Sequence, residues 1–306
     1  MRLEVKDICK SFEERKVLHN VSFSLESGRA LGLLGRNGAG KTTTIRILMD
    51  VFKANSGELL LDGKEFKAKN YHIGYMPEER GMYPKLKVID QLVYFGELRG
   101  LSKKEALNNA ESLLEELSVS EYRNRILQTL SKGNQQKIQL AQTLITNPDV
   151  IILDEPFSGL DPVNSQILKN VIKKRIDENK LVIFSSHQMS YVEEFCDDIV
   201  IIKDGKVVLS GDLNKIKQVM GAGRISLSVN GMNSEQLNAY LMNHASNLLD
   251  EIEVKKDYIV ARLIKDKNSI LNQLCNDGLD IEYFGDYRPS LNDIFVKEAG
   301  DLDEAV

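Results

Sequence analysis

Gly35-Arg-Asn-Gly-Ala-Gly-Lys41-Thr42 decides how this chain is read. The run fits G-x-x-x-x-G-K-[ST] with no mismatch. Glycines at Gly35, Gly38 and Gly40 let the backbone bend so that successive N–H groups converge on anionic oxygens. Amides from Arg36 through Asn37, Gly38, Ala39, Gly40, Lys41 and Thr42 to Thr43 are therefore expected to wrap a triphosphate tail. The positive end of the helix that begins here adds to the attraction. Lys41 is placed to reach the β- and γ-phosphates as a point charge. The Thr42 hydroxyl is a hard oxygen ligand suited to Mg2+. The glycines run G-x-x-G-x-G, not G-x-G-x-x-G, which argues against a dinucleotide-binding turn.

The flanking sequence supports this reading. Ala30-Leu-Gly-Leu-Leu34 is a short apolar run before the loop, and Ile45, Leu48, Met49 and Phe52 recur after it at helical spacing. That is strand, loop, helix, the opening of an α/β unit. Upstream, Leu3 and Val5, then Val21, Phe23 and Leu25, alternate with polar residues as half-buried antiparallel strands do. Residues 86–147 are rich in Leu, Glu, Lys and Ala and read as a helical insertion closed by Pro148. Val150 to Leu153 and Leu181 to Phe184 read as central parallel strands covered on both faces. Ile199 to Ile202 and Val207 to Leu209 flank Asp204-Gly205, a hairpin signal. Gly221-Ala-Gly223 marks an expected boundary between a domain of residues 1–220 and a second of residues 221–306. The second reads strand, helix, strand, strand, helix, strand and a final helix, which suggests a small α+β ferredoxin-like sandwich.

Composition narrows the function classes. The chain has 306 residues and a net charge of -5, so no basic surface argues for nucleic-acid binding. No apolar run reaches the roughly 18 to 20 residues that cross a bilayer. The start, Met1-Arg-Leu-Glu-Val-Lys-Asp, does not have the pattern of a signal peptide. Cys9, Cys196 and Cys275 lie far apart, without the spacing of a zinc site, and read as reduced thiols.

Ile151-Ile-Leu-Asp154-Glu155 places two carboxylates at the end of a buried strand, the sheet edge where ligands bind in doubly wound folds. The alternative is a solvent-facing charge pair. With the phosphate loop in the same chain, Asp154 is expected to hold Mg2+ through water. Glu155 is expected to orient or deprotonate the attacking water. His187, in Ser185-Ser-His after the next strand, is on the same edge and could hydrogen-bond the γ-phosphate and that water.

The ordered set of motifs resembles the ABC (ATP-binding cassette) ATPases over roughly residues 2–218. Leu130-Ser-Lys-Gly-Asn134 is similar to the family signature Leu-Ser-Gly-Gly-Gln, with Lys132 and Asn134 as departures. Ser131 and Gly133 remain. Ser131 can cap a helix whose exposed N–H groups form a second phosphate site. By the resemblance, that site serves the nucleotide held by the opposite protomer. Ser158-Gly-Leu-Asp161 resembles the dimer-contact loop, His187 matches the switch histidine, and Phe12 falls where the family stacks an aromatic on adenine. Glu78 stands where the family carries Gln as a Mg2+ and water ligand. It offers a hard oxygen but adds negative charge beside the metal.

The implied fold is an α/β P-loop NTPase cassette: a mixed sheet, an antiparallel β subdomain and a helical insertion. The implied cofactors are ATP and Mg2+. The implied partners are a second cassette, here a homodimer, and an integral-membrane permease on a separate chain. That permease would hold this chain peripherally on the inner, cytoplasmic face of the membrane. The run Pro77-Glu-Glu-Arg-Gly81 and the tail Tyr287 to Phe295 look like the export ATPases paired with ABC-2-type permeases, among them sodium-extrusion and antibiotic-resistance pumps. The competing reading is a soluble ABC-type ATPase acting on ribosomes or nucleic acid. One cassette, with no zinc finger, coiled coil or basic arm, argues against it.

Overall fold

The computed structural model describes residues 1–79 and 81–300; Arg80, within the Glu78 to Pro84 run, and residues 301–306, the end of the expected second domain, lie outside the described residues. Strands β1 (Arg2–Phe12) and β2 (Arg15–Glu26) pair antiparallel, with Leu3 opposite Leu25 and Val5 opposite Phe23. Their period of two buries those four residues with Val21. Next come β3 (Ala30–Leu34), buried throughout, and α1 (Lys41–Leu48). β4 (Ser56–Leu61) and β5 (Lys64–Glu65) complete a four-stranded sheet of order β2-β1-β4-β5.

β6 (Ile73–Met76) leads into the helical insertion of α2 (Val88–Leu98), α3 (Lys103–Glu116) and α4 (Lys132–Leu144). Ser102 and Glu105 form a capping box on α3, and Ser131 caps α4 by accepting from the Asn134 N–H. The chain continues through β7 (Val150–Asp154), α5 (Pro162–Asp177), β8 (Leu181–Ser185), α6 (Met189–Phe195), β9 (Asp198–Lys203) and β10 (Lys206–Asp212). The central sheet has order β10-β9-β3-β8-β7-β6, parallel except for the β9–β10 hairpin. β3, β7 and β8 are buried at every position, as apolar runs covered on both faces should be.

The hairpin turn has positive φ at both central residues, 49° at Asp204 and 73° at Gly205, the geometry that suits a two-residue hairpin. Gly205 donates its N–H to Ala39 O at 3.0 Å and accepts from the His19 N–H at 2.8 Å. A Cβ on Gly205 would lie 2.1 Å from Val17 O. The turn is thus wedged between β2 and the glycine loop that precedes α1.

A second compact unit runs from Asn214 to Ile294, while residues 295–300 group with residues 1–213. It takes in nearly all of α7 (Leu213–Met220), then β11 (Arg224–Val229), α8 (Ser234–His244), β12 (Leu249–Val254), β13 (Ile259–Leu263), α9 (Lys267–Asn276), β14 (Ile281–Asp286) and the start of α10 (Leu291–Ala299). The division thus falls at the start of α7, not after it at residue 220 as expected. The Gly221 N–H donates to Lys217 O at 3.0 Å, and Tyr287 O sits 1.9 Å from where a Gly221 Cβ would be, so the end of α7 is fastened to this unit. The sheet order β12-β13-β11-β14, all antiparallel, is that of a ferredoxin-like sandwich. Leu237, Leu241, Ile270 and Leu274 of α8 and α9 cover Ile225, Leu227, Ile259 and Ala261.

Gly205→Ala places a side chain at positive φ and against Val17 O. It should lower stability by about 2 kcal/mol or more, read as a shift of the urea midpoint; an unchanged midpoint would show that the turn is not wedged as described.

Candidate functional site

The loop between β3 and α1 is held in backbone conformations that favour glycine. Gly40, the N-cap of α1, has φ 115°, and a Cβ there would lie 2.6 Å from Leu18 Cδ2. A Cβ on Gly35 would lie 2.5 Å from Ile202 O. Ala39 anchors the loop from below: its methyl is buried, and its N–H donates to Arg36 O at 3.1 Å. Lys41 Nζ donates to Gly35 O at 2.7 Å and Arg36 O at 3.3 Å, so the ammonium lies across the mouth of its own loop. Burial pushes the Lys41 ammonium below its ordinary pKa, while Glu155, Asp154 and Glu78 oppose that shift.

Those carboxylates come from the adjacent sheet edge. β7 ends at Asp154, and Glu155 follows with φ 50°, a left-handed conformation uncommon for a non-glycine residue. Both are more than nine-tenths buried, so each carboxylate needs partners. Ser185 Oγ donates to Asp154 Oδ1. Ser186 Oγ donates to Glu155 Oε2 at 3.0 Å, and His187 Nδ1 lies 2.8 Å from Glu155 Oε1. The Glu155 N–H donates to Ser185 O at 3.0 Å. The Tyr75 phenol, pushed up to about 12 by burial first and then by the charge of Asp154, stays protonated beside that carboxylate.

One cavity of about 1340 Å³ joins the two halves. Phe12, Gly35, Arg36, Asn37, Gly38, Gly40, Lys41, Thr42, Thr43, Glu78, Asp154, Glu155 and His187 all line it. Phe12 stands at its rim, 38% exposed, edge-on to Phe52 at 5.2 Å between ring centroids. Ala39 does not line the cavity, because its side chain packs inward. Ser131, Gly133 and Asp161 form a separate cluster at the starts of α4 and α5. Asp161 accepts from the Asn164 N–H at 2.9 Å, and a Cβ on Gly133 would lie 2.9 Å from Asn164 Nδ2. Ser131 and Asp161 are exposed there.

Several residues of the site were not anticipated. Ser185 and Ser186 precede His187 directly, and two hydroxyls at a parallel strand end beside an Asp-Glu strand were a usable signal. Tyr75 carried a weaker one, since it is on β6, the neighbour of β7. Met189 and Phe295 also line the cavity; no motif marks Met189, and the Tyr287 to Phe295 run carries no sign that its last residue would reach the glycine loop.

Comparison with known proteins agrees with this geometry. Residues 18–158 match the family model described as ABC transporter. Residues 211–299 match the C-terminal domain of DrrA1-3-like ATP-binding proteins. The chain is 36% identical over 304 residues to the uncharacterised ABC transporter ATP-binding protein YhaQ of Bacillus subtilis, covering 97% of this chain and 98% of that one. It is 30% identical to the linearmycin resistance ATP-binding protein LnrL of the same organism, covering 97% and 98%. A solved ATP-binding subunit of an ABC transporter superposes with a TM-score of 0.66 at 28% identity, covering 79% of this chain and all (100%) of that one. Among the described residues no helix is long and apolar enough to cross a membrane. The chain belongs to the ATP-binding subunits of ABC transporters, ATPases whose hydrolysis of ATP is coupled to transport.

Proposed function

We propose that this chain binds ATP with Mg2+ at the β3–α1 loop and hydrolyses it at Glu155. As one of two cassettes it drives export through a membrane permease carried on a separate chain. The observation that carries the reading is the cavity in which the glycine loop, Lys41 and the Asp154–Glu155 edge face one another. Lys41 exchanges its bonds to Gly35 O and Arg36 O for phosphate oxygens. Phe12 offers its ring to the adenine.

The donor set suits Mg2+. Thr42 supplies a hydroxyl, with carboxylates from Asp154 and Glu78. Among the described residues no cluster of three or more His, Cys, Asp or Glu forms a metal cage. A cation held here takes its remaining ligands from phosphate and water, the habit of Mg2+. When bound, it neutralises charge developing on the phosphates. The chain's own residues position the rest. Glu155, fixed by Ser186 and His187, orients a water and accepts its proton, and Ser185 holds Asp154.

The exposed Ser131 and Asp161, outside the cavity, support a head-to-tail dimer in which the start of α4 meets the nucleotide of a second copy. Phosphate charge then holds the pair together, and hydrolysis weakens it. Tyr83, Leu86, Tyr94 and Leu98 are exposed apolar residues following the Glu78 run and on α2, and they suit a permease contact. The DrrA1-3-like C-terminal match and the resistance role in the name of LnrL favour export. A chain bound to such a permease would sit at the cytoplasmic face of the membrane.

Glu155→Gln should reduce turnover by about 10²–10⁴-fold while ATP binding persists, and a dimer should accumulate with Mg2+ and ATP in light scattering. Hydrolysis at the wild-type rate would remove Glu155 from this role. Glu78→Gln keeps an oxygen ligand and should hold turnover within about threefold, whereas Glu78→Ala should lose about tenfold. Full activity in the alanine variant, in a steady-state assay across Mg2+ concentrations, would show that Glu78 is not a ligand.

A further inference from the structure

The second compact unit contains a cavity of about 740 Å³ of its own, on the sheet face opposite α8 and α9. That volume is within the usual range for small-molecule sites, roughly 300–1,000 Å³. We propose that it binds an organic cation with an apolar body, held by tyrosine faces and carboxylates. The proposal is independent of the nucleotide site.

β11 carries the first argument. Ile225, Leu227 and Val229 are buried in the core of this unit, while Ser226 and Ser228 alternate with them and line the cavity. Both serines are more than nine-tenths buried as residues, at 7% and 8% exposure, and their hydroxyls are not themselves buried without a partner; they open on the cavity. Two hydroxyls on alternate residues of one strand, both lining the cavity, are in place for a ligand's polar atoms.

The walls carry the second. Tyr258, Tyr283 and Tyr287 all line the cavity. Tyr283, opposite Ser228 in register, lies over Gly285: a Cβ there would be 2.5 Å from the Tyr283 hydroxyl, so the glycine makes room for the ring. The Tyr287 phenol, pushed up to about 12 chiefly by burial, remains a neutral O–H. Arg224 already lies over the Tyr287 ring, its guanidinium carbon 5.6 Å from the centroid, so Tyr258 and Tyr283 supply the aromatic faces that attract a ligand cation.

Charge decides the ligand class. Asp257, Glu282 and Asp286 line the cavity against one cation of the lining, Arg288. Asp286 is paired with Lys267 at 2.6 Å. Asp257 and Glu282 have no ion-pair partner among the described residues, so the lining keeps an excess of negative charge. Arg288 and the serines remain for an acceptor oxygen on the same ligand.

The test is calorimetry on the full chain with benzyltrimethylammonium, benzyl alcohol as an uncharged control and benzoate as an anionic one. Saturable binding of the cation alone is expected. The double variant Asp257→Asn/Glu282→Gln should weaken it by about tenfold, and Tyr283→Leu by about threefold or more, with ATP affinity unchanged in both. Ser228→Val, which fills the cavity floor, should also weaken it. No saturable heat with the cation, benzoate binding as tightly, or a charge-neutralised variant binding like the wild type would overturn the proposal.

Discussion

Two groups of opposite polarity are held face to face in this protein: a loop of backbone amides with an ammonium, and a strand end with two buried carboxylates. Neither is stable as a bare feature. The loop needs glycines where a Cβ would strike Leu18 or Ile202. The carboxylates need the Ser185, Ser186 and His187 partners, since buried charge without partners is expensive. The central sheet resolves both demands. β3 and β7 flank β8, so the loop after β3 and the acids after β7 open on the same edge. The positive side is in place before any phosphate arrives, and Lys41 rests meanwhile on carbonyls of its own loop. Such preorganisation is what positional and electrostatic catalysis of phosphoryl transfer requires.

The remainder of the cassette serves that juxtaposition. The β9–β10 turn bonds Ala39 and so braces the loop from behind. The antiparallel sheet supplies Phe12 at the cavity rim. The helical insertion carries Ser131 away from this cavity, which leaves the start of α4 exposed elsewhere on the cassette.

Much of this was legible in the residues. Phosphate-loop spacing, the buried runs Val150 to Leu153 and Leu181 to Phe184, and the Asp204-Gly205 turn each have one physical solution, and the structure adopts it. The second sheet was legible too, because its strands and helices alternate with clear periods. What escaped notice depends on tertiary packing. That Ala39 turns inward follows from the approach of the hairpin, which lies far away in sequence. Tyr75 matters only because β6 pairs with β7. Phe295 reaches the cavity lining from a terminal helix, and no local pattern encodes that. Gly221-Ala-Gly223 read as a domain boundary, yet Gly221 is there because Tyr287 O occupies the space of a side chain.

The account depends most on loop amides receiving the triphosphate. Backbone amide NMR of the full chain, titrated with ATP and Mg2+, reads this directly. The largest displacements are expected at Gly38, Gly40, Lys41, Thr42 and Thr43, with a smaller one at Ala39, whose N–H is already given to Arg36 O. Saturating nucleotide that leaves these amides unmoved, or moves Ala39 most of all, would contradict it.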